Sequence, residues 1–444
     1  MQHRYSRLLA ATAIPAVAAL ALGACSGGTT NGAAPIASAA PTALTGTISV
    51  WHGWSDREAA AFQGVIDDFE AANPGVKVEV HSGQDDSKLA KVISTGGDVD
   101  VALSSSIDNL GTFCSSGAFR DLGPLISRDG VDLTQIPDTF RKYTAFEGTQ
   151  CSLPVLADVY GLYYNTDLLS AAGYTAPPKT FSELQDMALK LTTYNADGSI
   201  KTLGFNPLLG YYENTATQLA PTVGATWTKD GKSAIDSPAW KDLLTWQKGF
   251  VDAIGYDKLK TFTAGLGDEW SADNAFQTGQ VAMNLDGEWR TAFIADQAPD
   301  LKYATAPFPT ADNHTDLYGG GYATGTVAGI AKDSKNPEAA WALIKYLSLN
   351  TDAVVKLANG IKNVPTTTAA LASPNLQLPP EFTTFLDIAG SPHAMSSDIT
   401  RIGSTSQTTF ETYWHTYEQG KGGDLDTGLK KVDQDIDNAL AMSK

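Results

Sequence analysis

Apolar residues recur along this chain with two alternating periods. Ile48 and Val50 alternate with small polar neighbours over residues 47–51, which predicts a strand. Phe62, Val65, Ile66 and Phe69 then recur at the three-and-four spacing of one helix face, until Asn73-Pro74-Gly75 stops the helix. Val76, Val78 and Val80 alternate with Lys77 and Glu79 as a second strand, and a helical stretch over residues 85–94 leads to a third, Val99-Asp100-Val101-Ala102-Leu103. Strands alternating with helices in this way predict an α/β fold with a parallel sheet and right-handed crossovers. Ligands of such sheets sit beyond the carboxyl ends of the strands. The loops at 51–55, 81–85 and 104–108 are therefore the first places to look for chemistry.

Further on, Leu162-Tyr163-Tyr164 reads as a strand, residues 180–191 as a helix capped by Thr180 or Ser182, and Val281-Ala282-Met283 as another short strand. Asn336-Pro337-Glu338 opens a helix with asparagine at the cap, and Ala340, Leu343, Ile344 and Leu347 form its buried stripe. Leu429, Val432, Ile436 and Leu440 share one face of a last helix. The chain has no internal repeat.

The N-terminus has a different pattern. Arg4 and Arg7 precede an apolar run over residues 8–24, interrupted by Pro15 and closed by Leu22-Gly23-Ala24-Cys25. This resembles the lipobox of bacterial lipoproteins, which implies a signal peptide over 1–24 and lipid attachment at Cys25. A short transmembrane anchor is the alternative, but a spanning helix wants about 20 apolar residues. The Ser-, Gly-, Thr- and Ala-rich stretch to residue 45 reads as a flexible tether. Of three cysteines, Cys114 and Cys151 remain; outside the cytosol they form a disulfide or stay as two buried thiols.

Beyond that segment the 444-residue chain is too long for one core, so two domains are expected. Its net charge of −18, with no run of Lys or Arg, argues against nucleic acid or a polyanion as partner. His-Glu-x-x-His, Gly-x-Ser-x-Gly and a cysteine beside a histidine are all missing, so the chain reads as a non-enzyme. Asp85-Asp86 is a helix start rather than a calcium loop, and neither metal nor cofactor is expected.

Several segments, in one order, resemble the solute-binding lipoproteins of bacterial ABC importers, in the sugar-binding branch related to maltose-binding proteins. They include Ile48-Ser49-Val50-Trp51, Phe69-Glu70-Ala71-Ala72-Asn73-Pro74-Gly75, and Gly117-Ala118-Phe119-Arg120-Asp121-Leu122. Leu162-Tyr163-Tyr164-Asn165-Thr166-Asp167, Phe276-Gln277-Thr278-Gly279-Gln280-Val281 with Gly287-Glu288-Trp289, and Lys335-Asn336-Pro337-Glu338-Ala339-Ala340-Trp341 continue the series. The resemblance implies a two-lobed periplasmic-binding-protein-like fold with crossing hinge segments and a ligand cleft between the lobes. Lobe 1 would comprise 46–159 and 326–364, and lobe 2 would comprise 160–325 and 365–444, with crossings near 158–165, 319–327 and 364–368. It also implies a carbohydrate ligand, permease subunits as partners, no contact with a membrane except through the lipid, and a monomer on the outer face of the cytoplasmic membrane. A glycerol-phosphate-like or other polyol ligand is the alternative, and a secreted glycoside-processing enzyme, whose paired carboxylates no sequence spacing would reveal, is a further one.

A pyranose offers apolar C–H faces and a fringe of hydroxyls, so its site needs flat aromatic rings beside short polar and carboxylate groups. Trp51, Trp54 and Ser55 after the first strand, Gln84 and Ser105 in the next two loops, and Asp158 at the first crossing are candidates from one lobe. Tyr211, Tyr212, Trp227, Trp270, Glu288 and Trp289 are candidates from the other, with only one of the adjacent tyrosines able to point inward. Gly320, Gly321 and Tyr322 would offer amides and a ring at the second crossing, and Arg401 a late cleft residue or a solvated arginine. Trp240, Trp246 and Trp341, in helical surroundings, are expected in the core.

Overall fold

The computed structural model describes residues 34–443. The signal segment, Cys25 and the first part of the tether lie outside the described residues.

Ten strands make one mixed sheet: β1 (Gly46–Trp51), β2 (Val76–His81), β3 (Val101–Ser104), β4 (Leu153–Asn165), β5 (Thr193–Tyr194), β6 (Ile200–Phe205), β7 (Val281–Gly287), β8 (Tyr303–Ala306), β9 (Ala323–Ile330) and β10 (Val364–Pro365). Their order is β2-β1-β3-β9-β4-β7-β6-β5, with β8 and β10 also on β4. The first three strands are parallel, as the opening pattern predicts. The sheet as a whole is not, because β9 runs antiparallel to both β3 and β4. β4 is the strand that joins the two halves. Its first half pairs with β9 and β10, and its second half with β7 and β8. The three predicted crossings thus lie side by side, with Asp158 opposite Thr324 and Ala157 opposite both Gly325 and Val364.

Each half of the sheet has its own core. In the first, α1 (Asp56–Ala72) lays Phe62, Val65, Ile66 and Phe69 on Ile48 and Val50, and α6 (Pro337–Leu349) adds Trp341, Leu343, Ile344 and Leu347. In the second, α3 (Phe181–Leu191), α4 (Pro238–Ile254), α8 (Thr405–Glu418) and α9 (Leu425–Met442) pack Trp240, Phe250, Phe410 and Trp414 against Leu203, Phe205 and Leu285. α7 (Thr351–Ile361) adds Val354, Leu357 and Ile361 to the first core, while α2 (Asp86–Ser94) and α5 (Arg290–Gln297) contribute Leu89, Ile93 and Ile294 to a third cluster.

Capping follows elementary rules in most places. Asp85, Thr180 and Asp424 each accept a hydrogen bond from a first-turn amide of the helix that follows. Asn336 sits at its cap position but does not cap. Its side-chain amide instead donates to the Thr47 carbonyl at 2.7 Å, tying α6 to β1. β3 also begins later than its apolar pattern suggests, because the Asp100 carboxylate is used as a hub, accepting from the amides of Ser49 at 3.0 Å and Lys335 at 3.2 Å.

The tether expectation needs correction over its described part. Arg120 donates to the Ala34 carbonyl at 2.7 Å, Arg128 to the Ala37 carbonyl at 3.1 Å, and the Ala37 amide to Glu338 at 2.9 Å. Ile36 and Leu44 pack on the first core. Residues 34–44 are therefore laid along the domain. Composition misleads here because two arginines satisfy backbone carbonyls that the segment's own side chains cannot. Cys114 and Cys151 face each other with Cα atoms 5.7 Å apart, a separation that a disulfide spans. No helix among the described residues is long and apolar enough to cross a membrane.

Candidate functional site

The carboxyl ends of β1, β2 and β3 face the second half of the sheet across a cavity of about 650 Å³. His52, Gly53, Trp54, Ser55, Gly83, Asp85 and Ser105 line one wall, and Trp270, Phe293, Asp296 and Gln297 the other. Residues from all three loops at the carboxyl ends of these strands thus stand on one cavity wall. Trp54 is half-buried, one side packed on Phe62 at 5.4 Å between ring centroids. Trp270 is 46% exposed, an unusual state for so large an apolar surface. Arg57 closes the mouth. Its guanidinium lies 3.4 Å from Asp296 and 5.1 Å from the centre of the Phe293 ring.

Behind Trp270 the second wall is built on β7 and α5. Gly287 has no side chain where a Cβ would stand 2.2 Å from the Trp289 ring, so that ring lies flat over the backbone. Trp289 meets Tyr160 edge-on at 5.4 Å and Trp270 at 6.4 Å. Its indole nitrogen has no protein partner, and neither has the Tyr211 hydroxyl. Tyr211 and Tyr212 stack at 4.2 Å, and Tyr212 spends its hydroxyl on the Gly267 carbonyl at 2.8 Å. Of that pair only Tyr211 keeps a free polar tip.

Behind the lining, a second set of carboxylates is buried away from the cavity wall, which itself carries Asp56, Glu58, Asp85 and Asp296. Asp158 on β4 accepts from the Asn363 amide, and Glu288 accepts from the Val159 amide at 2.7 Å while its other oxygen has no protein partner. Burial, then the charge of Glu58, raises the Asp158 carboxyl, and burial with Asp158 raises Glu288 well above the usual range. Glu213 and Glu269 are raised by burial and by neighbouring carboxylates, while Arg290, wholly buried, pairs with Asp286 at 2.7 Å. Next to Ser105, Asp86 accepts from the Ser106 amide at 2.9 Å, and Asp108 follows in the same loop; neither is on the cavity lining. Burial pushes each up to about 6, Asp108 additionally facing Asp398 and Asp86.

The remaining candidates lie elsewhere. Trp51 turns its ring onto His81 at 5.0 Å and its nitrogen to Ser49, away from the cavity. Gln84 holds the Ser82 carbonyl and leaves its own oxygen without a protein partner. Trp227 is core, 4.7 Å from Trp240 and 5.8 Å from Phe410, and it borders a small notch beside Tyr322, Ser397 and Asp398 rather than the cavity. Gly320 and Gly321 are small for packing. A Cβ would meet His393 at 2.5 Å in the first case and Ile388 at 2.9 Å in the second. Tyr322 is buried with its hydroxyl 2.8 Å from Ser397. Arg401 pairs with Glu147 on the surface rather than in the cavity. Sequence reasoning did not single out Glu58 on the cavity wall, Glu269 and Asp286 beside Arg290, or Ser397 and Asp398 at the notch by Tyr322, because each reaches its neighbours only through the tertiary fold. Among the described residues no three His, Cys, Asp or Glu side chains are grouped to hold a metal.

A family model described as bacterial extracellular solute-binding protein matches residues 53–353. The chain belongs to that family. Among relatives of this solute-binding protein, the maltotriose-binding protein of Pyrococcus abyssi is 21% identical over 338 residues, covering 76% of this chain and 70% of its own length. The maltooligosaccharide ABC transporter solute-binding lipoprotein of Streptococcus pneumoniae R6 is 27% identical over 307 residues, 67% of each chain. The fold is shared with solved two-lobed binding proteins. CpMnBP1 with mannotriose bound superposes with a TM-score of 0.78 at 23% identity, over 90% of this chain and all of that one. A Listeria monocytogenes ABC substrate-binding protein in complex with cycloalternan gives 0.75 at 19% identity, over 89% and 99%.

Proposed function

We propose that this solute-binding protein takes an uncharged di- or oligosaccharide into the cavity between its lobes and presents it, by hinge closure, to the permease subunits of an ABC importer. One observation carries the reading. Trp54 from one lobe and Trp270 from the other line the same cavity, with Ser55, Ser105 and carboxylates between them. Flat rings suit the C–H faces of a pyranose, and acceptors suit its hydroxyls. Among the described residues that line the cavity, Arg57 is the one Lys or Arg and it is paired with Asp296, which disfavours a phosphate ester and hence a glycerol-phosphate-like ligand. Names of relatives that mention maltotriose and maltooligosaccharide support the same class. The lobes meet at the three crossings, with 46–159 and 326–364 on one side.

In this reading the protein is a monomeric binder without catalysis, exported through the signal over 1–24. Lipid on Cys25 tethers it outside the cytoplasmic membrane, and Cys114 and Cys151 are bonded there. A thermal-shift panel tests the ligand class. A true ligand at a hundred times its dissociation constant stabilises by about 2.7 kcal/mol. A shift with glycerol 3-phosphate and none with maltose, maltotriose or mannotriose would reject the carbohydrate assignment.

A further inference from the structure

His52 is 1% exposed, yet it lines the cavity between the lobes. Its ring is held at 4.6 Å from Phe62 and 5.5 Å from Trp54, and neither ring nitrogen has a protein partner. A buried polar group in a native structure normally finds a partner. Burial also pushes this imidazole down to about 4, so at neutral pH it is uncharged, with one nitrogen donating and the other accepting.

The rest of the lining restricts what the partner can be. Asp56, Glu58, Asp85 and Asp296 are all on the cavity wall. The single basic group on that wall, Arg57, is spent on the Gly360 carbonyl at 2.6 Å, the Ile361 carbonyl at 3.4 Å and Asp296 at 3.4 Å. An anion entering here would meet four carboxylates and a neutral imidazole. A hydroxyl, by contrast, can both donate and accept, so it can satisfy either nitrogen.

We propose that His52 is a ligand-contacting, specificity-determining residue that reads a hydroxyl of an uncharged sugar ring seated against Trp54. This rests on the carbohydrate reading above and deepens it.

The test is calorimetric titration of the whole exported domain with maltotriose, mannotriose and maltose 6-phosphate, using wild type, His52→Phe and His52→Asn. His52→Phe keeps the ring and removes both nitrogens; His52→Leu replaces it should the phenylalanine variant fail to fold. The expected result is that wild type binds at least one trisaccharide, that His52→Phe weakens it at least tenfold without lowering the melting temperature, and that His52→Asn recovers part of the loss. Unchanged affinity in a folded His52→Phe or His52→Leu protein overturns the role of His52 and leaves the carbohydrate reading standing. Tighter binding of maltose 6-phosphate than of the neutral sugars overturns the preference for an uncharged ring. Wild-type protein that binds none of the three removes the carbohydrate reading and this inference together.

Discussion

Arg57 on the first turn of α1 and Asp296 near the end of α5 pair across the mouth of the cavity at 3.4 Å. Asp296 is more than half exposed, and an ion pair of that kind contributes about 0 to 1 kcal/mol to folding. Its place matters more than its strength, because it joins two walls of the cavity in which the proposed ligand would bind. Asp296→Asn is expected to change unfolding free energy by less than about 1 kcal/mol while speeding ligand dissociation several-fold. Denaturant melts and stopped-flow fluorescence separate the two effects.

The aromatic rings divide by what surrounds them. Trp54→Ala and Trp270→Ala, which remove cavity-lining rings, are each expected to weaken ligand binding by about 2 kcal/mol, the scale of a buried aromatic anchor. Trp240 and Trp341 are wholly buried in the two cores, and Ala at either is expected to lower stability by about 3 to 5 kcal/mol. Affinity measured on variants shown to be folded by near-ultraviolet circular dichroism checks the division.

Stability of the ligand-free protein is expected to fall as pH rises from 5 to 7.5. Asp86 and Asp108 are held near 6 in the fold against an ordinary value of 3.8, and Glu213, Glu269 and Glu288 are also raised. The folded chain therefore binds more protons than the unfolded chain across this interval, so the stability these groups contribute is complete below about pH 4 and lost as pH passes 6. Melting temperatures should drop by several degrees over the interval. Asp108→Asn should flatten the slope; a rising melting temperature would show that these carboxyls are not buried as described.

Two features of the first lobe can be checked by mass spectrometry. Cys114 and Cys151 should appear as one linked peptide pair without reductant. Arg120→Ala with Arg128→Ala should release residues 34–44, seen as faster amide exchange and new proteolytic cuts there, at little cost to ligand affinity.

Much of the fold was legible because its periods are clean. β1, α1, β2 and α2 follow from residues such as Val76, Val78, Val80, Phe62 and Phe69, whose spacing assigns one face to the core. β4 was legible only at its end, since residues 153–163 are buried on both faces and show no alternation. Polar, Gly-containing surroundings single out Trp54 and Trp270 in the sequence, and both rings line the cavity, whereas Trp289 lies behind that wall. Trp227 has similar neighbours, yet the fold sets it against Trp240, a contact of residues 13 positions apart that no local pattern announces. Asp108 and Asp398 come from opposite ends of the chain, and their approach depends on how the lobes meet.

The central claim is that an uncharged oligosaccharide binds between the lobes, against Trp54 and Trp270. Isothermal titration of maltotriose and mannotriose into wild type and into a folded Trp54→Ala, Trp270→Ala double variant tests it most directly. The expected result is one site per chain for at least one of the two sugars in wild type, with affinity reduced by a hundredfold or more in the double variant. No binding of either sugar to wild type, or undiminished binding to the double variant, would contradict the account.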